Sequence, residues 1–466
     1  MHRSIAQGPR PDARGGPLAA AAPRARTTVV VALGLVLACF ALYQLTRPGY
    51  QTIYNHFAWQ ALAWLDGQAT IPYPVAGPGG NDYFNDVVPI LGSGGVATGR
   101  GLIPFPPLPA VVLLPFVAVW GLAVDQTFLA IVIGALDVAL AFWLLGRLPV
   151  RPAVRTLLTI FVGSGAALWY AASLGSTWYV AHVVAVGLAL AAVGVALDAD
   201  AREAERRPGT PRPWLDGRQV AAGLLLGLAA TSRLTIIFGL PFLMLVGAGG
   251  TWWRRALAAG IGAAIPVAVL GVYTLAATGE PFNPVYEALY RYEILAYPEL
   301  GYNGSWALQD LRYIPGNLGL MLLGPPQILP PCDPGAVREA WSASGCSWVV
   351  PDQRGMSFVL ASPAYLLALP ALALLRDRRV AGAFLATLAI ATVNLAHFSQ
   401  GWVQFGYRFS LDFAPFLLVA VALGTERFLG PRDAPRPWRL GAAAGLVAVS
   451  VAIQAWGIAW ARTLGW

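Results

Sequence analysis

Lysine is absent from this 466-residue chain, so all 31 basic residues are arginine. Charge of either sign is scarce: 12% of the residues are charged, against roughly 25% in soluble domains. Together with 57% hydrophobic residues and a mean hydropathy of +0.60, this scarcity excludes an ordinary soluble domain. Cysteine is nearly lacking, with Cys39 in the first apolar run and Cys332 and Cys346 in a long polar stretch. Spacing alone does not fix whether that last pair joins; in an oxidising compartment it would close about 15 residues and contribute roughly 3 kcal/mol, and two free thiols are the alternative. Internal repeats are not evident either, although paired repeats are the mark of many secondary transporters.

What is present is apolar helix. Crossing a hydrocarbon core of about 30 Å takes roughly 20 helical residues, and eleven runs from 27–46 to 440–461 are candidates. The fold class expected is therefore an all-α polytopic membrane protein of about 11–12 transmembrane helices with two long outer loops. Runs 219–232 and 234–248, on either side of Arg233, are short enough to form a hairpin that stops below the far interface.

The formal charge of +8 could suggest nucleic acid, but the arginines gather in short loops between apolar runs, as the positive-inside rule expects. Residues 1–26 carry Arg3, Arg10, Arg14, Arg24 and Arg26 among Pro, Gly and Ala, and read as a disordered cytoplasmic tail. Run 27–46 lacks a convincing cleavage site and should remain as an anchor. Segment 104–122 is apolar yet holds Pro104, Pro106, Pro107 and Pro109. If it does not cross, 22 of the 31 arginines fall on the cytoplasmic side, so a juxtamembrane or partly inserted helix on the outer side is expected. The organisation expected is an N-terminal transmembrane module over 27–278 with an outer loop at 47–103, a second outer loop at 279–356, and C-terminal helices over 357–466. The localisation expected is the plasma (inner) membrane, with the N-terminus cytoplasmic. Tyr286, Tyr290, Tyr292, Tyr297, Tyr302, Trp306 and Tyr313 argue for order in the second loop, because such rings order by burial.

Chemistry-bearing groups concentrate on the expected outer side. The first loop reads Tyr54-Asn55-His56-Phe57, then Asn81-Asp82-Tyr83-Phe84-Asn85-Asp86. A carboxylate there could take a proton from an attacking hydroxyl, so Asp86 and Asp82 are candidates for the base, and His56 in the same loop is the further catalytic candidate. Two acids could also bind a divalent cation, but no full ligand set is visible, and no metal ligand is assigned. Isolated polar groups near outer helix ends usually line a cavity or pair. His182, Arg233, Tyr407 and Arg408 are the substrate-binding candidates, and an Arg guanidinium suits a lipid phosphate. Asp412 lies four residues after Arg408, and an ion pair between them is the plain alternative. Asp137, inside run 126–146, is assigned no function.

These motifs, in their order, resemble the GT-C superfamily of polyprenyl-phosphate-dependent glycosyltransferases, which includes protein O-mannosyltransferases and lipid A aminoarabinose transferases. The resemblance rests on an outer-loop acid after the first helix, the Pro-Pro segment ending in Trp120-Gly121, Gly227-Leu-Ala-Ala-Thr-Ser-Arg233, and Gly406-Tyr-Arg408-Phe-Ser-Leu-Asp412-Phe, spread over residues 27–428. It implies an inverting transfer from a polyprenyl-phosphate-linked sugar to an acceptor glycan, lipid or protein, with no nucleic acid partner. Under it Asp86 is the base, Asp82 the second choice, and Arg233 and Arg408 hold phosphate. One departure is that Asn55-His56 occupies the place directly after the first helix where the family often has its acid. The reading set against it is a transporter or lipid flippase without transferase activity.

Overall fold

The computed structural model describes residues 21–49, 54–73, 86–92, 96–296, 303–328, 349–402, 404–434 and 436–463. Asp82, Cys332 and Cys346 lie outside them. The chain starts with helix α1 (Ala21–Thr46), followed by α2 (His56–Leu65) and three strands, β1 (Ile71–Pro72), β2 (Val88–Leu91) and β3 (Ala97–Leu102). Helices α3 (Leu108–Trp120), α4 (Gln126–Leu145), α5 (Pro152–Ile160), α6 (Ala167–Leu174), α7 (Thr177–Ala204) and α8 (Gly217–Ala230) come next. After a 3-10 segment, Leu234–Gly239, come α9 (Leu240–Leu245), α10 (Trp252–Thr278), α11 (Val285–Ala296) and α12 (Ile314–Leu323). A two-residue pair, β4 (Gln327–Ile328) with β5 (Val349–Val350), and the short α13 (Phe358–Ala361) lead to the 3-10 segment Pro363–Leu374. Helices α14 (Arg378–Leu395), α15 (Ser410–Leu429) and α16 (Pro437–Thr463) complete the order.

Each of the eleven apolar runs is helical, so this is an all-α polytopic membrane protein, but the elements differ in reach. Six helices are long and apolar enough to cross a membrane, seven if the pair Pro152–Gly165 and Ala167–Leu174, bent by 45°, counts as one span. The bend follows a π-turn at Phe161–Gly165, where the regular backbone ladder is interrupted. Four others are shorter: Leu108–Ala123, Gly217–Ala230, Leu234–Leu245 and Pro363–Leu374. Asp125, Asp216 and Asp377 start α4, α8 and α14 by accepting backbone N–H bonds.

Helix α7 is the centre of the bundle, with 83% of its apolar window buried, whereas 11% of the window in α1 is buried. Helices α8 and α10 approach backbone to backbone: a Cβ on Gly223 would meet the Cα of Ala259 at 2.6 Å. That contact holds the end of α8, and the chain break beyond it, in place.

The first loop is a folded unit, which the all-α expectation did not include. Its three strands pair antiparallel in the order β1-β3-β2, and α2 packs on α3 around Phe57, Ala61, Ala110, Leu113 and Val117. Helix α3 has 13 residues, too few to cross, and it starts only after Pro104, Pro106 and Pro107, each of which disfavours helix in the residue before it. Tyr290 and Tyr313 of the second loop form a small buried cluster with Phe398, which follows α14, and Trp306 packs against it.

Candidate active site

A cavity of about 380 Å³ opens where the sheet unit, the start of α7, the break after α8, helix α11 and the turn before α15 converge. Asp86, His182, Arg233 and Arg408 all line it, as do Glu293 and His397. The Pro-rich segment supplies part of the wall through Phe105 and Pro106. It is tied there by the Leu108 N–H, which donates to the Thr231 carbonyl at 3.0 Å, two residues before Arg233.

Asp86 is the only non-glycine residue among those described with a left-handed backbone, φ +58°. That conformation is sparsely populated for a side chain of this kind and turns the carboxyl off the end of the sheet unit. Trp178 Nε1 donates to Asp86 Oδ2 at 2.7 Å. Burial raises the carboxyl pKa to about 6, against the opposing pull of the Trp178 bond and of the Arg408 charge. Glu293 is pushed further, to about 8, by burial and by the Asp86 charge, with Arg408 opposing. Burial, and next the Arg233 charge, lower His397 to about 3, so its ring is neutral; its Nδ1 lies 3.0 Å from Gln309 Nε2.

The two cavity arginines have different surroundings. Arg233 stands in extended backbone where α8 ends, and its Nε and NH2 donate to Asp412 Oδ1 and Oδ2 at 3.2 and 3.0 Å. Asp412 is fully buried and also accepts from Thr235 Oγ1 at 2.8 Å and Asn394 Nδ2 at 3.1 Å. His182 Nδ1 sits 2.9 Å from Asp412 Oδ1. Arg408, in contrast, forms no ion pair within 4.0 Å among the described residues, and its buried Nε has no hydrogen-bond partner there. Its guanidinium is held between rings, 5.6 Å from the Tyr179 centroid and 5.4 Å from that of Phe409. Gly401, at φ +96°, clears the space: a Cβ there would stand 2.9 Å from Arg408 Cζ.

The Arg408–Asp412 pair suggested by spacing does not form. Helix α15 starts at Ser410, so Arg408 precedes the helix and the four-residue rule does not apply to it. His56 and Tyr407 are not part of the cavity lining. His56 is buried behind Trp178, with Nδ1 2.6 Å from Thr177 Oγ1, and Tyr407 donates its hydroxyl to Gln400 Oε1 at 2.6 Å. Sequence reading missed Glu293 and Tyr286, although Tyr286, Leu289 and Glu293 have the i, i+3, i+7 spacing of one helical face, and all three line the cavity. Among the described residues no three or more His, Cys, Asp or Glu side chains gather as a metal site would require.

No family profile and no curated protein sequence matches the chain. Solved structures do. ArnT from Cupriavidus metallidurans bound to undecaprenyl phosphate aligns over 94% of this chain and 76% of its own, with 12% identity and a TM-score of 0.50. The oligosaccharyltransferase AglB from Archaeoglobus fulgidus, in complex with an inhibitory peptide and a dolichol-phosphate, aligns over 93% of this chain at 13% identity and a TM-score of 0.49. The present chain spans 56% of the length of AglB. At this identity the likeness is one of fold: the chain adopts the fold of ArnT along nearly its whole length.

Proposed function

We propose that this protein is an integral membrane glycosyltransferase that moves a sugar from a polyprenyl-phosphate donor to a hydroxyl-bearing acceptor on the non-cytoplasmic side of the inner membrane. The observation that carries this reading is one cavity that holds both an acid and an arginine, Asp86 and Arg408, neither in an ion pair within 4.0 Å among the described residues. The undecaprenyl phosphate bound to ArnT, a protein of this fold, supports it.

In the reaction Asp86 accepts the proton of the acceptor hydroxyl as its oxygen attacks the anomeric carbon. The bond from that carbon to the phosphate oxygen breaks in the same displacement, which inverts the anomeric centre. The electron pair leaves on the polyprenyl phosphate, whose growing charge meets the Arg408 guanidinium. A carboxyl with a pKa near 6 is ionised at neutral pH yet basic enough to take a proton, which is what a general base requires. Arg233 already has a buried carboxylate as its partner, so its main task is to hold the α8 break against α15, with its remaining N–H groups turned to the cavity. Asp82, which lies outside the described residues, is the second choice for the base, and the buried position of His56 removes it from that role.

Replacing Asp86 with Asn keeps the shape and removes the basicity. Transfer from a polyprenyl-phosphate donor should fall by about 10²–10⁴-fold, with thermal unfolding and undecaprenyl phosphate binding unchanged. Full transfer activity in Asp86→Asn would remove Asp86 from the mechanism.

A further inference from the structure

A second cavity, of about 560 Å³, lies at the other end of the bundle, between α1, the end of α4 and the start of α5. Helix α4, 20 residues and so about 30 Å long, has its start bonded to Gly175, just before α7, and its end at this groove. Its walls are largely apolar, from Val31, Leu145, Leu148 and Val150, with Thr28 and Thr156 among them, and Arg155 is the charged residue that lines it.

Arg155 is fixed in place. Its Nε donates to the Phe142 carbonyl at 2.8 Å, and the guanidinium lies 3.6 Å from the Phe142 ring centroid. It also packs on Gly146, where a Cβ would meet Cζ at 2.7 Å. Neighbouring cations are spoken for: Arg147 pairs with Asp198 at 3.1 Å and Arg151 with Glu426 at 3.1 Å. Arg155 has no ion pair within 4.0 Å among the described residues. A rigid guanidinium without an ion pair among the described residues, beside an apolar groove, suits an oxyanion such as a phosphate attached to hydrocarbon. The adjoining face of α1, little buried in the protein, offers hydrocarbon chains a surface to follow into the bilayer.

We infer that this groove seats an anionic glycerophospholipid, its phosphate on Arg155 and its acyl chains along α1. The test uses the full-length protein in neutral detergent, with the unfolding midpoint measured on addition of phosphatidylglycerol, phosphatidylcholine of the same chains, or soluble glycerol phosphate. Phosphatidylglycerol should raise the midpoint more than phosphatidylcholine does, and glycerol phosphate should not raise it. Arg155→Gln should abolish the difference between the lipids, whereas Arg147→Gln should retain it. Should Arg155→Gln fail to fold, Val31→Trp, which fills the groove and leaves the guanidinium intact, decides in its place by abolishing the same difference. Equal shifts with the two lipids, a shift with glycerol phosphate, or a difference retained in Arg155→Gln or Val31→Trp would overturn the inference.

Discussion

Arg233 and Arg408 line one cavity, and their removal should have opposite consequences. Arg408→Gln deletes a guanidinium that balances no carboxylate within ion-pair reach among the described residues, so the fold should lose little. A hydrogen bond to a charged group contributes about 1.5–3 kcal/mol, and tenfold in affinity corresponds to about 1.4 kcal/mol. Undecaprenyl phosphate should therefore bind roughly 10- to 150-fold more weakly. Arg233→Gln instead leaves Asp412 as a buried carboxylate without its guanidinium, a change that typically costs about 3–5 kcal/mol. Thr235 and Asn394 still donate to Asp412, which puts the expected loss toward the lower end of that range. Denaturant or thermal unfolding of the purified protein, alongside undecaprenyl phosphate binding, separates the two. If Arg233→Gln unfolds like the parent, or Arg408→Gln binds the lipid phosphate with parental affinity, the division of labour argued from their partners is wrong.

Two further outcomes follow from the same geometry. Because protonation disables the Asp86 base, transfer should rise with pH through about 6; Trp178→Phe removes a bond that stabilises the charged form, so this limb should move up by about one to two pH units. A pH–rate profile that does not move would detach Trp178 from the base. Gly223→Ala puts a methyl group into the backbone of α10 and should cost about 1–3 kcal/mol in unfolding measurements while also weakening undecaprenyl phosphate binding, since α8 ends at the Arg233 break. Loss of stability with binding intact would show that the break keeps its shape without α10.

Much of the fold could be read along the chain because lipid leaves few options. Apolar runs of sufficient length must be helices, and Asp125, Asp216 and Asp377 mark starts by a local rule. The helix break at Arg233, the Pro-rich segment before a helix too short to cross and the placing of acids in the two outer loops are likewise local features. The partners were not legible, because they are set by contacts between residues far apart in sequence. Spacing offered Asp412 to Arg408, four residues away, but the bundle gives it to Arg233, and Glu293 reaches the site only through the docking of α11. His56 and Tyr407 sit beside candidate residues in sequence and behind them in space, since one turn of chain rotates a side chain away from a cavity.

The sequence by itself determined that this is a polytopic helical membrane protein with its chemistry in the loops at one end, because hydrophobic length and turn chemistry act locally. Only the tertiary structure decided that Asp86, Arg408 and Glu293 share one cavity, and that Arg233 enters it already paired. The cost of burying a charge depends on which neighbour faces it, and packing alone chooses the neighbour.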